Sequence, residues 1–135
     1  MTDEAVAIDI GTSGVRGQLW DLRTEKVLRT AIITRNPIPG ANVMDHLSFA
    51  MERGPEKARV LLLNAISELL VRLHPGHLTR LAVCGNPIQL SLFTGQEIRD
   101  LAYAGKNKLA EENVGTVDRS GRILSGEAVG MSPDL

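Results

Sequence analysis

The apolar positions of this chain fall first into short alternating runs and then into one long helical stripe. Residues 4–10 carry Ala5, Val6, Ala7, Ile8 and Ile10, a run with the length and composition of a strand. Residues 15–22 interleave Val15, Leu19, Trp20 and Leu22 with Arg16 and Gln18, and read as a second strand running back along the first. A polar turn leads into residues 26–36, where Val27, Leu28, Ala31, Ile32 and Ile33 predict a third strand. Three strands joined by tight connections make an antiparallel meander. Pro37, Pro39 and Gly40 then break the pattern, as residues without a free φ or without a Cβ do.

Beyond that break the period changes from two to about 3.6. Asn42 is placed to cap a short helix, with Asp45 three residues on and Val43, Leu47, Ala50 and Met51 as its apolar face. Gly54-Pro55 stops it and opens a second helix over residues 55–73, with Pro55 at the first helical position. Ala58, Leu62, Ala65, Ile66, Leu69 and Leu73 share one face of that helix, while Glu56, Lys57, Arg59 and Glu68 supply solvent-facing charge. His74-Pro75-Gly76 ends it, and His74 and His77 read as turn residues rather than metal ligands. Residues 78–85 hold a fourth strand, Leu81-Ala82-Val83-Cys84, apolar enough to predict burial on both faces, with Cys84 as a small hydrophobe inside it. Asn86 and Pro87 then open a short helix over 88–93, as cap and first residue.

After Gly95 the periodicity weakens. Residues 96–113 read as a loose helix, residues 114–124 as a hairpin across Asp118-Arg119-Ser120-Gly121, and the remainder as a fraying end. The expected division is a folded lobe over 1–95 and an irregular extension over 96–135, cut before anything closes it.

Composition narrows the function classes. A chain of 135 residues supports one domain with a core. A net charge of −1 gives no broad electrostatic case for nucleic acid or for an anionic membrane, and 3% aromatic residues weaken a base-stacking or sugar-stacking proposal. The single cysteine, Cys84, rules out a disulfide or a cysteine-ligated cluster within these residues. No leader peptide or membrane-length apolar run is visible, so the expected setting is cytoplasmic.

The chemistry concentrates in the first turn, Asp9-Ile10-Gly11-Thr12-Ser13-Gly14. Amides in such a turn can converge on an anion, and glycines allow a close approach. The hydroxyls of Thr12 and Ser13 can donate to phosphate oxygens, and Asp9 offers a hard oxygen to Mg²⁺ through water. It is neither a GxxxxGK[ST] loop nor a GxGxxG turn into a helix. A glycine-rich β-turn with no ligand is the competing reading of the same six residues.

The order β-β-β-helix-helix-β-helix, with a DxGT loop in the first hairpin, resembles the lobes of the acetate and sugar kinase, heat-shock chaperone and actin superfamily. The resemblance implies an α/β, ribonuclease-H-like lobe. Its mixed sheet would join an antiparallel three-strand meander to a parallel strand, packed by helices, as half of an actin-like ATPase fold. A narrower resemblance rests on Asp9-Ile10-Gly11-Thr12-Ser13-Gly14-Val15, Asn36-Pro37, Gly40-Ala41-Asn42-Val43-Met44 and Gly85-Asn86. Over residues 6–95 these look like the ATP-dependent reductive activators of corrinoid proteins and related methanogen marker proteins.

That resemblance implies ATP and Mg²⁺ as cofactors. Asp9 would orient the metal through water, and Gly11, Thr12, Ser13 and Gly14 would cradle the β- and γ-phosphates. Asn86 would face the terminal phosphate, with helix capping as its compatible alternative, and residues 40–43 would shape the approach. Three departures stand out. Pro87 follows Asn86 where the family has a small or hydroxyl residue, iron–sulfur ligands are missing, and so are a second lobe and its adenosine pocket. The implied partners are therefore the missing C-terminal lobe of the same protein and a corrinoid protein, with ATPase activity only when both lobes are present. Alone, the chain is expected to self-associate through its uncovered face. The alternative is an actin-like module that binds or scaffolds a protein partner, with nucleotide as a switch or not used at all.

Overall fold

The computed structural model describes residues 3–96, residue 98 and the backbone of residues 122–124. Its strands are β1 (Glu4–Ile10), β2 (Val15–Asp21), β3 (Lys26–Ile33), β4 (Leu78–Gly85) and β5 (Arg122–Leu124). Its helices are α1 (Val43–Arg53), α2 (Pro55–Leu73) and α3 (Pro87–Thr94). The strands form a single sheet in the order β3-β2-β1-β4-β5. β1, β2 and β3 pair antiparallel, β4 lies parallel to β1, and β5 returns antiparallel beside β4. The meander is as the hydrophobic pattern predicts, and the parallel strand is as the family resemblance implies. The helix expected over 96–113 and the start of the hairpin over 114–124 lie outside the described residues.

Alternation in the strands places Val6, Ile8, Ile10, Val15, Leu19, Leu81 and Val83 in one buried cluster with Leu62, Ile66, Leu69 and Leu73 of α2 and Phe93 of α3. Burying each Leu, Ile or Phe contributes roughly 1.5–3 kcal/mol. Helix propensities differ by only about 0.7 kcal/mol per residue among ordinary residues, so the apolar stripe decides where α2 lies. Its ends are set by local chemistry. Pro55 opens it, and His74 closes it in a left-handed conformation (φ 49°) with its N–H on the Leu70 carbonyl. Arg29 of β3 then ties the end down, donating from Nε to the Leu73 carbonyl at 2.7 Å and from an η nitrogen to the His74 carbonyl at 3.1 Å.

The structure corrects the expectations for β4 with Cys84 and for the face of α1, and it places β3 at the sheet edge. β4 is buried on one face only: Leu81 and Val83 point into the core, while Thr79, Arg80 and Cys84 are exposed. Successive side chains of a strand point to opposite faces, and the helices share their cluster with only one of them. Cys84 is therefore an exposed thiol rather than a buried hydrophobe. β3 is an edge strand whose Val27, Leu28 and Ile32 are more than two-fifths exposed, and only Ala31 and Ile33 pack against the core. In α1 the buried positions are His46, Leu47 and Ala50, with the flanking Val43 and Met51 half-buried. A histidine thus occupies a core position that the apolar pattern passes over.

Candidate functional site

The β1–β2 turn is a tight four-residue loop closed by one bond, from the Gly11 N–H to the Gly14 carbonyl at 2.8 Å. That bond spends the Gly11 donor, so Gly11 shapes the loop rather than offering its amide. Among the described residues, no acceptor meets the N–H groups of Thr12, Ser13 or Gly14. Three consecutive amides without a protein acceptor and two hydroxyls thus share this loop. Gly14 is required for a steric reason as well: a Cβ there would sit 2.5 Å from the Ile33 carbonyl oxygen. The loop is pressed against the end of β3.

Asn36 holds the loop from behind. Its backbone N–H donates to the Ser13 carbonyl at 3.2 Å and its Nδ2 to the Gly11 carbonyl at 2.9 Å. In a trans peptide the C=O and the following N–H point in opposite directions. Drawing the Gly11 and Ser13 carbonyls towards Asn36 therefore turns the Thr12 and Gly14 N–H groups away from it. Asn36 Oδ1 accepts from the Ile38 N–H at 2.9 Å.

The end of β4 supplies the second support. Asn86 caps α3, its Oδ1 accepting from the Gln89 N–H at 3.0 Å, while its Nδ2 donates to Thr12 Oγ1 at 3.2 Å. Capping and contact with the loop are thus both performed by one side chain. Because Thr12 Oγ1 accepts from Asn86, its own proton is left to point elsewhere, as a donor. Pro87 occupies the first helical position, where no N–H is needed.

Asp9 lies exposed at the end of β1, beside Cys84 in the parallel register and Arg16 in the antiparallel one. Partial burial, the negative charge of Asp9 and a hydrogen bond to its carboxylate, in that order, push the Cys84 thiol above its ordinary value. Asp9 stands alone: among the described residues, no three acidic, histidine or cysteine side chains gather to hold an ion. One exposed carboxylate suits Mg²⁺, which retains several waters and takes few protein ligands. His74 and His77 do not converge. His74 ends α2, and the His77 ring lies 3.7 Å from an Asp3 carboxylate oxygen.

Residues 40–46 form a separate, self-capped turn. Asn42 Oδ1 accepts from the Asp45 N–H at 3.0 Å, and Asp45 Oδ2 accepts from the Ala41 N–H at 2.9 Å, a reciprocal cap. Gly40 (φ +127°) lies against Asp45, where a Cβ would collide at 2.2 Å. Besides the chain between Asn36 and Gly40, this turn is linked to the loop by polar side chains that the hydrophobic pattern passes over. Gln89 and His46 are both fully buried and hydrogen-bonded to each other at 2.8 Å. The available signal was a lone glutamine in the apolar segment Pro87-Ile88-Gln89-Leu90 and a histidine on the core side of α1.

Residues 4–117 match the model of the family described as the RACo middle region. A protein of Methanosarcina barkeri described as a "[Co(II) methylated amine-specific corrinoid protein] reductase" is 48% identical over 121 residues, which cover 88% of this chain and 22% of that protein. A solved structure described as a reductive activator for corrinoid, iron–sulfur protein superposes with a TM-score of 0.65 at 32% identity. The match covers 73% of this chain and 18% of that one. The chain thus spans about a fifth of the length of the relatives it matches.

Proposed function

Because the chain belongs to the RACo middle region family, we propose that it forms the phosphate-binding part of a nucleotide site, an actin-like lobe. The polypeptide carrying it would couple Mg·ATP to reductive activation of a corrinoid protein. The observation that carries this reading is the 11–14 loop, with three free N–H groups and a Thr12 hydroxyl oriented by Asn86. In this reading the N–H groups of Thr12, Ser13 and Gly14 and the two hydroxyls hold phosphate oxygens. Asp9 takes a water of the magnesium ion. Gly11 and Asn36 keep the loop in shape. A bound nucleotide would add the charge that draws a second lobe onto this one, a hinge closure of the general kind. The relatives' descriptions motivate the coupled reaction: one electron added to Co(II), supplied by a reductant outside this chain. The test is a Mg·ATP titration of the native polypeptide and of its Asp9→Asn and Thr12→Val variants. ATP-dependent loss of the Co(II) spectrum of a corrinoid protein is then followed in the presence of a chemical reductant. Both variants should bind Mg·ATP at least tenfold more weakly. Absence of binding to the unaltered protein, or unchanged affinity in both variants, refutes the reading.

A second reading rests on the exposed apolar side chains of the sheet edge, Leu22, Val27, Leu28 and Ile32. Here the lobe holds a protein partner through that edge, with nucleotide as a switch or not used. Partner capture that survives removal of ATP and is lost in Leu28→Asp would favour it. Strict ATP dependence of every contact would count against its nucleotide-free form.

A further inference from the structure

A line of hydrogen bonds, buried at its middle, runs from the 11–14 loop to the turn before α1, through side chains of the loop after β3, of α3 and of α1. Asn36 Nδ2 donates to the Gly11 carbonyl and also to Gln89 Oε1 at 3.0 Å. Gln89 Nε2 meets His46 Nδ1 at 2.8 Å, and His46 Nε2 meets the Gly40 carbonyl at 3.3 Å. The polarity of this line is determined throughout. A carbonyl can only accept, so His46 carries its proton on Nε2 and presents a lone pair on Nδ1. Gln89 must therefore turn its amide nitrogen to His46 and its oxygen to Asn36. Asn36 in turn must present its amide nitrogen both to Gln89 and to Gly11. Reversing any one group places two donors or two acceptors face to face, at greatest cost at the buried Gln89–His46 pair. Gln89 and His46 are fully buried, and no buried side-chain polar atom among the described residues lacks a partner.

We propose that Gln89 and His46 are positioning residues for the phosphate loop: through Asn36 they set the direction of the Gly11 carbonyl, and hence of the Thr12 N–H that a phosphate would meet. Neither residue reaches the loop itself. The Ile38 N–H on Asn36 Oδ1 orients the Asn36 amide, Gln89 Oε1 holds it there as the second acceptor of Nδ2, and His46 leaves Gln89 only one orientation. The line also ends on Gly40, so the loop's shape is tied to the turn before α1, and a displacement of that turn is felt at Gly11. This inference deepens the nucleotide reading and rests on it for the identity of the ligand. The orientation of the loop can be measured without any ligand.

The experiment compares Gln89→Met and Gln89→Glu with Leu69→Ala, a core truncation beside Gly17 that loosens the fold. Two quantities are read on the native polypeptide: hydrogen–deuterium exchange in the peptide spanning residues 9–15, by mass spectrometry, where Gly11 is the loop amide protected by a hydrogen bond, and Mg·ATP affinity. Met keeps the length of the side chain and removes both of its hydrogen bonds. Exchange of the loop peptide should rise at least tenfold above that in Leu69→Ala, with affinity at least tenfold weaker. Gln89→Glu should restore both in part, because its carboxylate still accepts from Asn36 Nδ2. Loop exchange in Gln89→Met no faster than in Leu69→Ala overturns the proposal. If Gln89→Met does not fold, His46→Phe breaks the far link alone and is held to the same comparison. Faster loop exchange in a protein that binds no Mg·ATP would support the positioning role while refuting the nucleotide reading.

Discussion

Replacing Asn86 by Asp separates two jobs that one side chain performs. Its oxygen caps α3 at 3.0 Å from the Gln89 nitrogen, and its amide group donates to Thr12 Oγ1 at 3.2 Å. Asp caps a helix as well as Asn does, and its charge at a helix N-terminus adds about 0.3–1 kcal/mol. Asn86→Asp should therefore melt at or slightly above the temperature of the unaltered protein. Asn86→Ala loses about 1 kcal/mol of capping, which lowers Tm by roughly 4 °C in a domain of this size. Nucleotide affinity should order the variants differently. An aspartate cannot donate, so the Thr12 hydroxyl must turn its proton inwards to meet the new carboxylate. A hydrogen bond to a charged phosphate, worth about 1.5–3 kcal/mol, is then lost. A carboxylate within about 6 Å of a phosphate adds roughly 3 kcal/mol of repulsion at an effective dielectric of about 20. At 1.4 kcal/mol per tenfold, the two effects together weaken Mg·ATP by about a thousandfold or more. Calorimetric melting and isothermal titration read the two quantities independently. Native affinity in Asn86→Asp would refute the orienting role, and a Tm as low as that of Asn86→Ala would refute the capping role.

Two further perturbations test the geometry around the loop. Gly14→Ala places a methyl group 2.5 Å from the Ile33 carbonyl oxygen; overpacking of this kind costs about 1–3 kcal/mol, so the melting temperature should drop, and an unchanged Tm would show that the loop and β3 are not pressed together. The Cys84 thiol is pushed upwards by partial burial and by Asp9, so alkylation by iodoacetamide should be slow at neutral pH. Removing the negative charge in Asp9→Asn lowers the thiol's pKa, raises the thiolate fraction and moves the pH–rate profile to lower pH; a profile that stays in place or moves upwards would contradict the Asp9–Cys84 contact.

Much of the scaffold was legible because its determinants are local in the chain. The caps at Asn42 and Asn86, the proline starts of α2 and α3 and the six-residue stripe of α2 are short-range patterns. Each needs only neighbours within about four residues to act. The loop motif was legible for the same reason. The departures have a common cause as well. Burial of Cys84 and of β3 depends on which sheet face the helices cover and which strand ends up at the edge. Composition alone does not carry that information: an apolar run of four residues reads the same whether one face is covered or two.

What the sequence by itself determined is therefore the order of elements, their caps, the face that α2 buries and the place of the glycine-hydroxyl turn. Only the tertiary structure decided how that turn is presented. Asn36, Gln89 and His46 are separated by up to 53 residues along the chain yet form one line of hydrogen bonds. The direction of the Gly11 carbonyl is the outcome of that line. Hydrogen-bond polarity propagates through space between groups brought together by packing, and no periodicity in the chain encodes it. The donors at Thr12, Ser13 and Gly14 are present in the sequence as residues, but how they are presented depends on what stands behind them.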